Sequence, residues 1–162
     1  PPPRPRGRGD VYTRQALGAT AFITRKQVPR LEGGDAMVQH LVAITDGGLD
    51  YTFDCTGNIH VMRTALEACH KGWGVSTIIG VAKSGEEIST RPFQLVTGRK
   101  WQGSAFGGVK GRTQLPGIVN RYLQGEFKVD EDVPLREPLS RINEGLEHMH
   151  EGQCIRCVID LA

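Results

Sequence analysis

The sequence lacks a hydrophobic run long enough to cross a bilayer, for which an α-helix needs roughly 20 apolar residues. It has only four cysteines, at positions 55, 69, 154 and 157, and their spacing gives no disulfide framework. Unpaired thiols are typical of a reducing compartment, so the predicted location is cytoplasmic. No folded segment carries a basic stripe, because much of the positive excess, a net charge of only +2, comes from the arginines in the first ten positions. Neither a membrane nor a nucleic acid is therefore predicted as a partner.

The length and composition fit a globular protein. The chain has 162 residues, of which 38% are hydrophobic and 23% are charged, enough for one substantial core. Its first ten residues, PPPRPRGRGD, are rich in proline, which excludes an amphipathic helix there. We expect residues 1–10 to be a disordered lead-in, and the chain, which starts at proline, to be part of a longer protein.

A strand–helix–strand pattern occupies the middle of the chain. Residues 49–55 alternate apolar and polar side chains and predict a strand, and residues 61–69 carry an apolar face at helical spacing. The run from Val75 to Val81 is short, β-branched and bounded by glycines, which predicts a strand buried on both faces. Short connections make the two strands parallel neighbours, so the predicted fold class is α/β with a parallel sheet.

The remaining elements are predicted from helical periodicity, β-rich runs, caps and turn residues. In chain order they are a helix over 10–17, a strand over 19–23, a helix capped by Asp35 and ended by Gly47 and Gly48, a strand over 101–106, a helix over 115–123 with Pro116 in its first turn, an extended segment over 133–139, a helix from a capping box at Ser140–Glu144 to Met149, and a closing strand over 155–161. Open α/β sheets bind ligands where their strands end, so we look for function at those ends first.

Several uncommon sequence motifs follow one another along the chain: FDCTGN from Phe53, MRTALEACHKGWG from Met62, GEEISTRPFQLVTGR from Gly85 and GSAFGG from Gly103. With the weaker VDE, INEGLEHMHEG and IR near the end, they closely resemble the zinc-dependent medium-chain alcohol dehydrogenases. Within that family the resemblance is to class III, the glutathione-dependent formaldehyde dehydrogenases. It covers the chain from about residue 18 onwards.

The resemblance implies a fold and an activity. The implied fold is part of a Rossmann domain, with a parallel, doubly wound sheet over residues 11–105, and a segment over 106–162 that returns to a GroES-like catalytic domain. The implied reaction of the whole enzyme is the NAD-dependent oxidation of S-(hydroxymethyl)glutathione, with NAD and zinc as cofactors and a homodimer as the assembly. Residues 88–103 match the family's dimer contact, where strands from two subunits join into one sheet.

Two parts of that family's site have no counterpart in the sequence. A G-x-G-x-x-G phosphate turn is missing, because Gly7 and Gly9 lack the third glycine and follow no predicted strand. The cysteine and histidine ligands of the family's zinc ions belong to a domain that the sequence does not contain. We therefore expect a fragment that is inactive on its own, with no catalytic and no metal-binding residue. The alternative is a non-catalytic half-Rossmann module that dimerises or binds a partner through its sheet edge.

The resemblance assigns cofactor contacts to two strand ends and one arginine. The first strand end would meet the nicotinamide through backbone groups, with a glycine that lets the ring approach. The second would hold the carboxamide, and the guanidinium would pair with the pyrophosphate. In chain order, the candidate cofactor-binding residues are Ile79, Gly80, Val81, Ser104, Ala105, Phe106 and Arg156. The open alternatives are an ordinary buried strand for the first stretch, core packing for Phe106 and a surface position for Arg156.

Lys71 is the candidate substrate-binding residue. It lies in the turn HKGWG, and the substrates of class III enzymes carry glutathione carboxylates, with which a lysine near the crevice could pair. The alternative is a solvated lysine. Cys154 and Cys157 form a C-x-x-C, but no second pair exists and a strand points positions three apart to opposite faces. Neither metal nor redox chemistry is predicted for them.

Overall fold

The structure is a computed structural model, and it describes residues 18–28, 34–127, 129, 135–154 and 156–161. The described residues fall into two compact units, one of Ile23–Val109 and one that contains residues 110–161 together with 18–22. The helix predicted over 10–17 and the lead-in over 1–10 lie outside the described residues. Among the described helices, none is long and apolar enough to cross a membrane.

The first unit is built around a three-stranded sheet. Its elements are α1 (Ala36–Ile44), β1 (Tyr51–Asp54), α2 (Ile59–Glu67), β2 (Val75–Ile78), α3 (Phe93–Val96), β3 (Lys100–Gly103) and a 3₁₀ turn at Phe106–Gly108. The strands lie in the order β1-β2-β3 and all run parallel, with Tyr51 opposite Val75 and Val75 opposite Lys100. The α/β class, the parallel sheet and the pairing of the first two strands are confirmed.

Both longer helices of this unit begin at a side-chain cap. Asp35 accepts a hydrogen bond from the Met37 amide at 2.9 Å, as predicted from its position before an apolar stripe. The Asn58 side chain accepts from the amides of His60 and Val61 in the first turn of α2, so this helix begins two residues earlier than its apolar face suggested. On α2, Met62 and Leu66 are buried, which confirms the predicted inward face.

The side of β1 that faces the core is polar. Thr52 and Asp54 are buried, whereas the Tyr51 and Phe53 rings are mostly exposed. The Thr52 hydroxyl donates to the carbonyl of Ala65 on α2 at 3.0 Å, which satisfies this buried polar group. The alternation of the sequence is therefore real, but it is the polar set that packs against the helix.

Three predicted strands in this part of the chain are wrong in part or in full. The strand predicted over 101–106 is observed only as Lys100–Gly103, and residues 104–106 lie beyond its end. The run from Val75 to Val81 forms a strand only as far as Ile78, because the amides of Ile79 and Gly80 both turn to the Asp54 carbonyl and end the ladder. Ser76 and Thr77 are both buried and point to opposite faces, so β2 itself is buried on both faces, whereas Ile79 and Val81 beyond its end are exposed. Residues 19–23 form no strand, because they pair with no strand of the described residues.

The second unit pairs two strands beside a helix. Its elements are α4 (Gly111–Leu123), β4 (Leu135–Pro138), a 3₁₀ turn at Leu139–Arg141, α5 (Ile142–His150) and β5 (Cys157–Asp160). Strands β4 and β5 run parallel, with Leu135 opposite Cys157, and α5 packs on both. Gly145 of α5 is buried, and a Cβ there would lie 2.8 Å from the Cys157 sulfur, so the helix approaches the strand closely.

Two details of the second unit correct the sequence analysis. Helix α4 begins at Gly111, so Pro116 lies inside the helix, beyond the first turn where proline costs no hydrogen bond. The capping box predicted at Ser140–Glu144 does not form. Its helix begins after a 3₁₀ turn with Arg141 at the N-cap, and Glu144 accepts from the Arg141 guanidinium at 2.6 Å instead.

Candidate functional site

The carboxyl ends of the three parallel strands lie at one edge of the first unit's sheet. Asp54, Ile78 and Gly103 are in register across β1, β2 and β3. The candidate stretches 79–81 and 104–106 directly follow two hydrogen-bonded neighbours, β2 and β3, so the structure brings these six residues to the same edge. We call this place the carboxyl-edge site, defined by residues 54–57, 79–81 and 104–106.

Asp54 ties the turn after β1 to the end of β2. It is 1% exposed, and its backbone carbonyl accepts hydrogen bonds from the amides of Ile79 and Gly80, both at 2.8 Å. Its carboxylate accepts from the Thr56 amide at 3.1 Å, the Thr56 hydroxyl at 2.6 Å and the Gly57 amide at 3.2 Å. One buried residue therefore fixes the backbone on both sides of the site.

Two glycines allow the turn and the strand end to touch. A Cβ on Gly57, whose φ is +71°, would overlap the Val81 carbonyl oxygen, and a Cβ on Gly80 would overlap the Gly57 amide nitrogen. This interlocking of two backbones accounts for glycine at position 80. The sequence had suggested a different reason, namely room for a bound ring.

Several backbone amides at the carboxyl-edge site are left with hydrogen-bonding capacity, among them those of Val81, Ser104 and Ala105. The N–H groups of Val81, Ser104 and Ala105 donate to no other described residue, whereas the preceding amides of β2's end are satisfied by Asp54. Val81 is 91% exposed, so this edge faces solvent, and the buried-strand alternative for 79–81 is wrong. Unpaired N–H donors on a backbone that Asp54 holds in place are suited to binding a carbonyl or carboxamide oxygen.

Phe106 presents its ring to solvent from an unusual backbone conformation. Its φ is +49°, and Gly107 and Gly108 continue at +68° and +71°. A residue with a side chain in this region stores roughly 1–3 kcal/mol of strain, and such residues gather at functional sites. The ring is 96% exposed, so the core-packing alternative for Phe106 is wrong.

Lys71 lies at the other edge of the sheet. It is exposed in the turn before β2, at the amino ends of the strands, so the structure does not bring it together with 79–81 and 104–106. It lines a cavity of about 360 Å³ formed by the start of α1, the end of α2, α3 and the residue before β3. We call this the amino-edge cavity.

The remaining candidates lie in the second unit. Arg156 is exposed immediately before β5, and Cys154 and Cys157 are half-buried and free. In the described part of the chain, no group of three or more His, Cys, Asp or Glu side chains could hold a metal ion.

Asp54 is the site residue that sequence reasoning missed. The alternating pattern marked it only as a polar position of a strand. A signal was present, however, because an Asp at the end of a strand, with Thr and Gly two and three residues later, is typical of a turn closed by its own carboxylate.

The chain matches a family model and several known proteins. Residues 12–123 match the family described as zinc-binding dehydrogenase. The S-(hydroxymethyl)glutathione dehydrogenase of Candida maltosa is 64% identical over 148 residues, which cover 91% of this chain and 38% of that protein. The class-3 alcohol dehydrogenase of Dictyostelium discoideum is 59% identical over 146 residues, which cover 90% of this chain and 38% of that protein. The chain thus spans about 38% of the length of these relatives.

A solved structure shows the same fold. Benzyl alcohol dehydrogenase from Acinetobacter calcoaceticus superposes with a TM-score of 0.80 at 23% identity, over 93% of this chain and 40% of that one. The match confirms that the chain has the Rossmann-like α/β fold implied by the resemblance. The predicted boundary at residues 105–106 and the tail of a GroES-like domain stay predictions.

Proposed function

This chain belongs to the zinc-binding dehydrogenase family, and from that premise we propose that it supplies the nicotinamide side of the cofactor site in an NAD-dependent S-(hydroxymethyl)glutathione dehydrogenase. The observation that carries the proposal is the set of unpaired amides of Val81, Ser104 and Ala105 at the ends of two neighbouring strands. The relative from Candida maltosa bears that enzyme's name, which supports the proposed substrate.

The carboxyl-edge site suits the nicotinamide carboxamide. That group offers one carbonyl acceptor and two N–H donors, so the free amides of this edge can bind it while neighbouring carbonyls accept from it. When bound, NAD supplies the hydride acceptor. The chain's own part is to orient the ring: Asp54 fixes the backbone beneath it, and Ile79, Gly80 and Phe106 border it.

Zinc has no place in this proposal for the chain itself. The described residues contain no group that fits a zinc ion, so no step here passes through one. We propose that zinc belongs to the whole enzyme and that these 162 residues bind the cofactor without turning substrate over.

Arg156 and Lys71 complete the proposed contacts. The exposed Arg156 guanidinium presents a fork of donors that matches pyrophosphate oxygens. Lys71, with its ammonium group, would pair with a glutathione carboxylate. Because Lys71 lies at the amino-end edge, this role fits best in a homodimer. If β3, an edge strand, pairs with its copy across a twofold axis, the strands are antiparallel, and the amino-end edge of one copy adjoins the carboxyl-end edge of the other.

The proposal is tested by binding and activity measured on the same preparation. NADH titrated into the ¹⁵N-labelled chain should shift the amide resonances of Val81, Ser104 and Ala105 most. The chain should form no NADH from NAD, formaldehyde and glutathione. Shifts confined to other regions, or an absence of binding, would contradict the cofactor assignment. Turnover would contradict the claim that the chain is inactive alone.

A second candidate is a non-catalytic module that self-associates. It is favoured by the exposed apolar side chains near the edge strand, Phe93 and Val96, and by the exposed rings of Tyr51 and Phe53. Sedimentation equilibrium separates the two functions, because a dimer that binds no NADH supports only the second. The four free cysteines agree with a cytoplasmic location, which we propose for either function.

A further inference from the structure

The amino-edge cavity lies wholly within the first unit, and three cationic side chains line it: Lys71, Arg91 and Arg99. Lys71 and Arg91 are exposed, and neither forms an ion pair or a side-chain hydrogen bond with another described residue. Their charges are therefore available to an anion that enters the cavity.

Arg99 is different, because it is fixed in the cavity wall. It is 7% exposed, and its guanidinium donates to the Cys69 carbonyl at 2.8 Å, the Thr97 hydroxyl at 3.1 Å and the Glu67 carbonyl at 3.4 Å. A guanidinium has five N–H donors, so two remain without an acceptor among the described residues. Burial lowers the pKa of Arg99 from its ordinary value, yet a guanidinium stays protonated at neutral pH. A buried cation with spare donors is costly unless a further acceptor reaches it.

The two carboxylates of the wall are already engaged. Asp35 lies 3.8 Å from the Arg25 guanidinium and accepts from the Thr64 hydroxyl at 2.5 Å. Glu67 pairs with Arg63 at 2.8 Å. Because both acids have cationic partners outside the lining, they offset the three lining cations only in part, Glu67 acting on Arg99 as well as on Arg63.

The rest of the wall is partly apolar. Val38 and Val42 of α1 and the exposed Phe93 ring of α3 line the same space. A volume of about 360 Å³ lies at the lower end of the range for small-molecule sites. We propose that the amino-edge cavity binds a small organic carboxylate with a compact apolar body, the carboxylate meeting Arg91 and Arg99 and the apolar body lying against Val38, Val42 and Phe93.

The test uses the whole chain and three probes: benzoate, its neutral isostere benzamide and inorganic phosphate. Benzoate titrated into the ¹⁵N-labelled chain should shift the amides of Gly34, Val42 and Gln94, which line the cavity. Benzamide and phosphate should shift them much less, because one lacks the charge and the other lacks the apolar body. Equal shifts with benzamide or with phosphate would overturn the proposal, and so would no shift with benzoate.

Variants of Arg91 separate the cavity from general charge attraction. Arg91→Gln should weaken benzoate binding by about tenfold, the loss of one charge-assisted contact. Arg91→Lys should keep most of it. Arg112→Gln removes a matched exposed charge on α4, outside the cavity, and should change nothing. Equal weakening by Arg91→Gln and Arg112→Gln would show diffuse attraction and sink the assignment. None of these outcomes depends on whether the chain binds NADH.

Discussion

The two edges of the three-stranded sheet are built from different chemical groups. At the carboxyl-end edge the available groups belong to the backbone, held by Asp54 and by the contact of Gly57 with Val81. At the amino-end edge they belong to side chains, Lys71, Arg91 and Arg99 among them. A backbone site is fixed by the fold, so altering it should damage stability and function together. A side-chain site can be altered with little effect on the fold.

The largest effect is expected from Gly80→Ala. The added methyl group would overlap the Gly57 amide nitrogen, so the turn after β1 must move, at a cost of about 3 kcal/mol in the free energy of unfolding. Gly103→Ala is the matched control at the same edge, since a Cβ there meets nothing within 4 Å. Urea denaturation of both variants gives the difference. Equal stability of the two variants would contradict the conclusion that close backbone contact fixes the structure of this edge.

Asp54→Ala should have the next largest effect. It removes the acceptor of the Thr56 amide, the Thr56 hydroxyl and the Gly57 amide in a buried place, at a cost of about 2 kcal/mol. Asp50→Ala serves as the control, because Asp50 is exposed and its carboxylate accepts a single hydrogen bond, from the Trp73 indole. Chemical denaturation measures both. A loss at Asp50 as large as that at Asp54 would contradict the role given to burial.

The smallest effect concerns acid stability at the amino-end edge. Burial by itself would raise the pKa of the Asp35 carboxyl, but hydrogen bonds from Thr64 and Met37 and the charge of Arg25 hold that pKa below its usual range. A depressed pKa stabilises the fold above the unfolded value, near 4, and this contribution is lost as pH falls through the folded value.

Asp35→Asn keeps an oxygen for the helix cap but does not titrate. We expect it to unfold with a weaker pH dependence than the parent chain below about pH 4. Thermal unfolding across that range measures the slope. Identical slopes for the two proteins would show that Asp35 contributes nothing to the pH dependence of stability, and would contradict a lowered pKa for its carboxyl.

Most of the fold was predictable from local patterns, and the site was predictable in part. The apolar face of α2, the Asp35 cap and the parallel pairing follow from spacing and from short connections. The end of β2 could not be predicted in this way. Ile79 and Val81 are apolar and so extend the strand pattern, but the strand ends before them because the amides of Ile79 and Gly80 both donate to the Asp54 carbonyl on β1.

Errors at helix ends have a similar cause. Pro116 suggested a first turn, yet α4 begins at Gly111, where the Lys110 amide donates to the Gln114 side chain at 2.7 Å. At α5, Glu144 had two possible partners, and Arg141 wins because an opposite charge one turn away is a stronger partner than the Ser140 backbone. Where the conformation of a residue depends on a neighbour outside its own motif, the local sequence pattern does not predict it.

The inward polar face of β1 has a consequence for how many structures this chain can adopt. Side chains alternate along a strand, so a slip of one residue would bury Phe53 against α2 and carry Asp54 out to water. Hydrophobicity alone would favour that slipped state over the one observed. The hydrogen bonds of Thr52 and Asp54 make the slipped register less stable than the observed one. We expect a variant without these hydrogen bonds to populate both registers. It would then lose its single native structure as well as part of its free energy of unfolding.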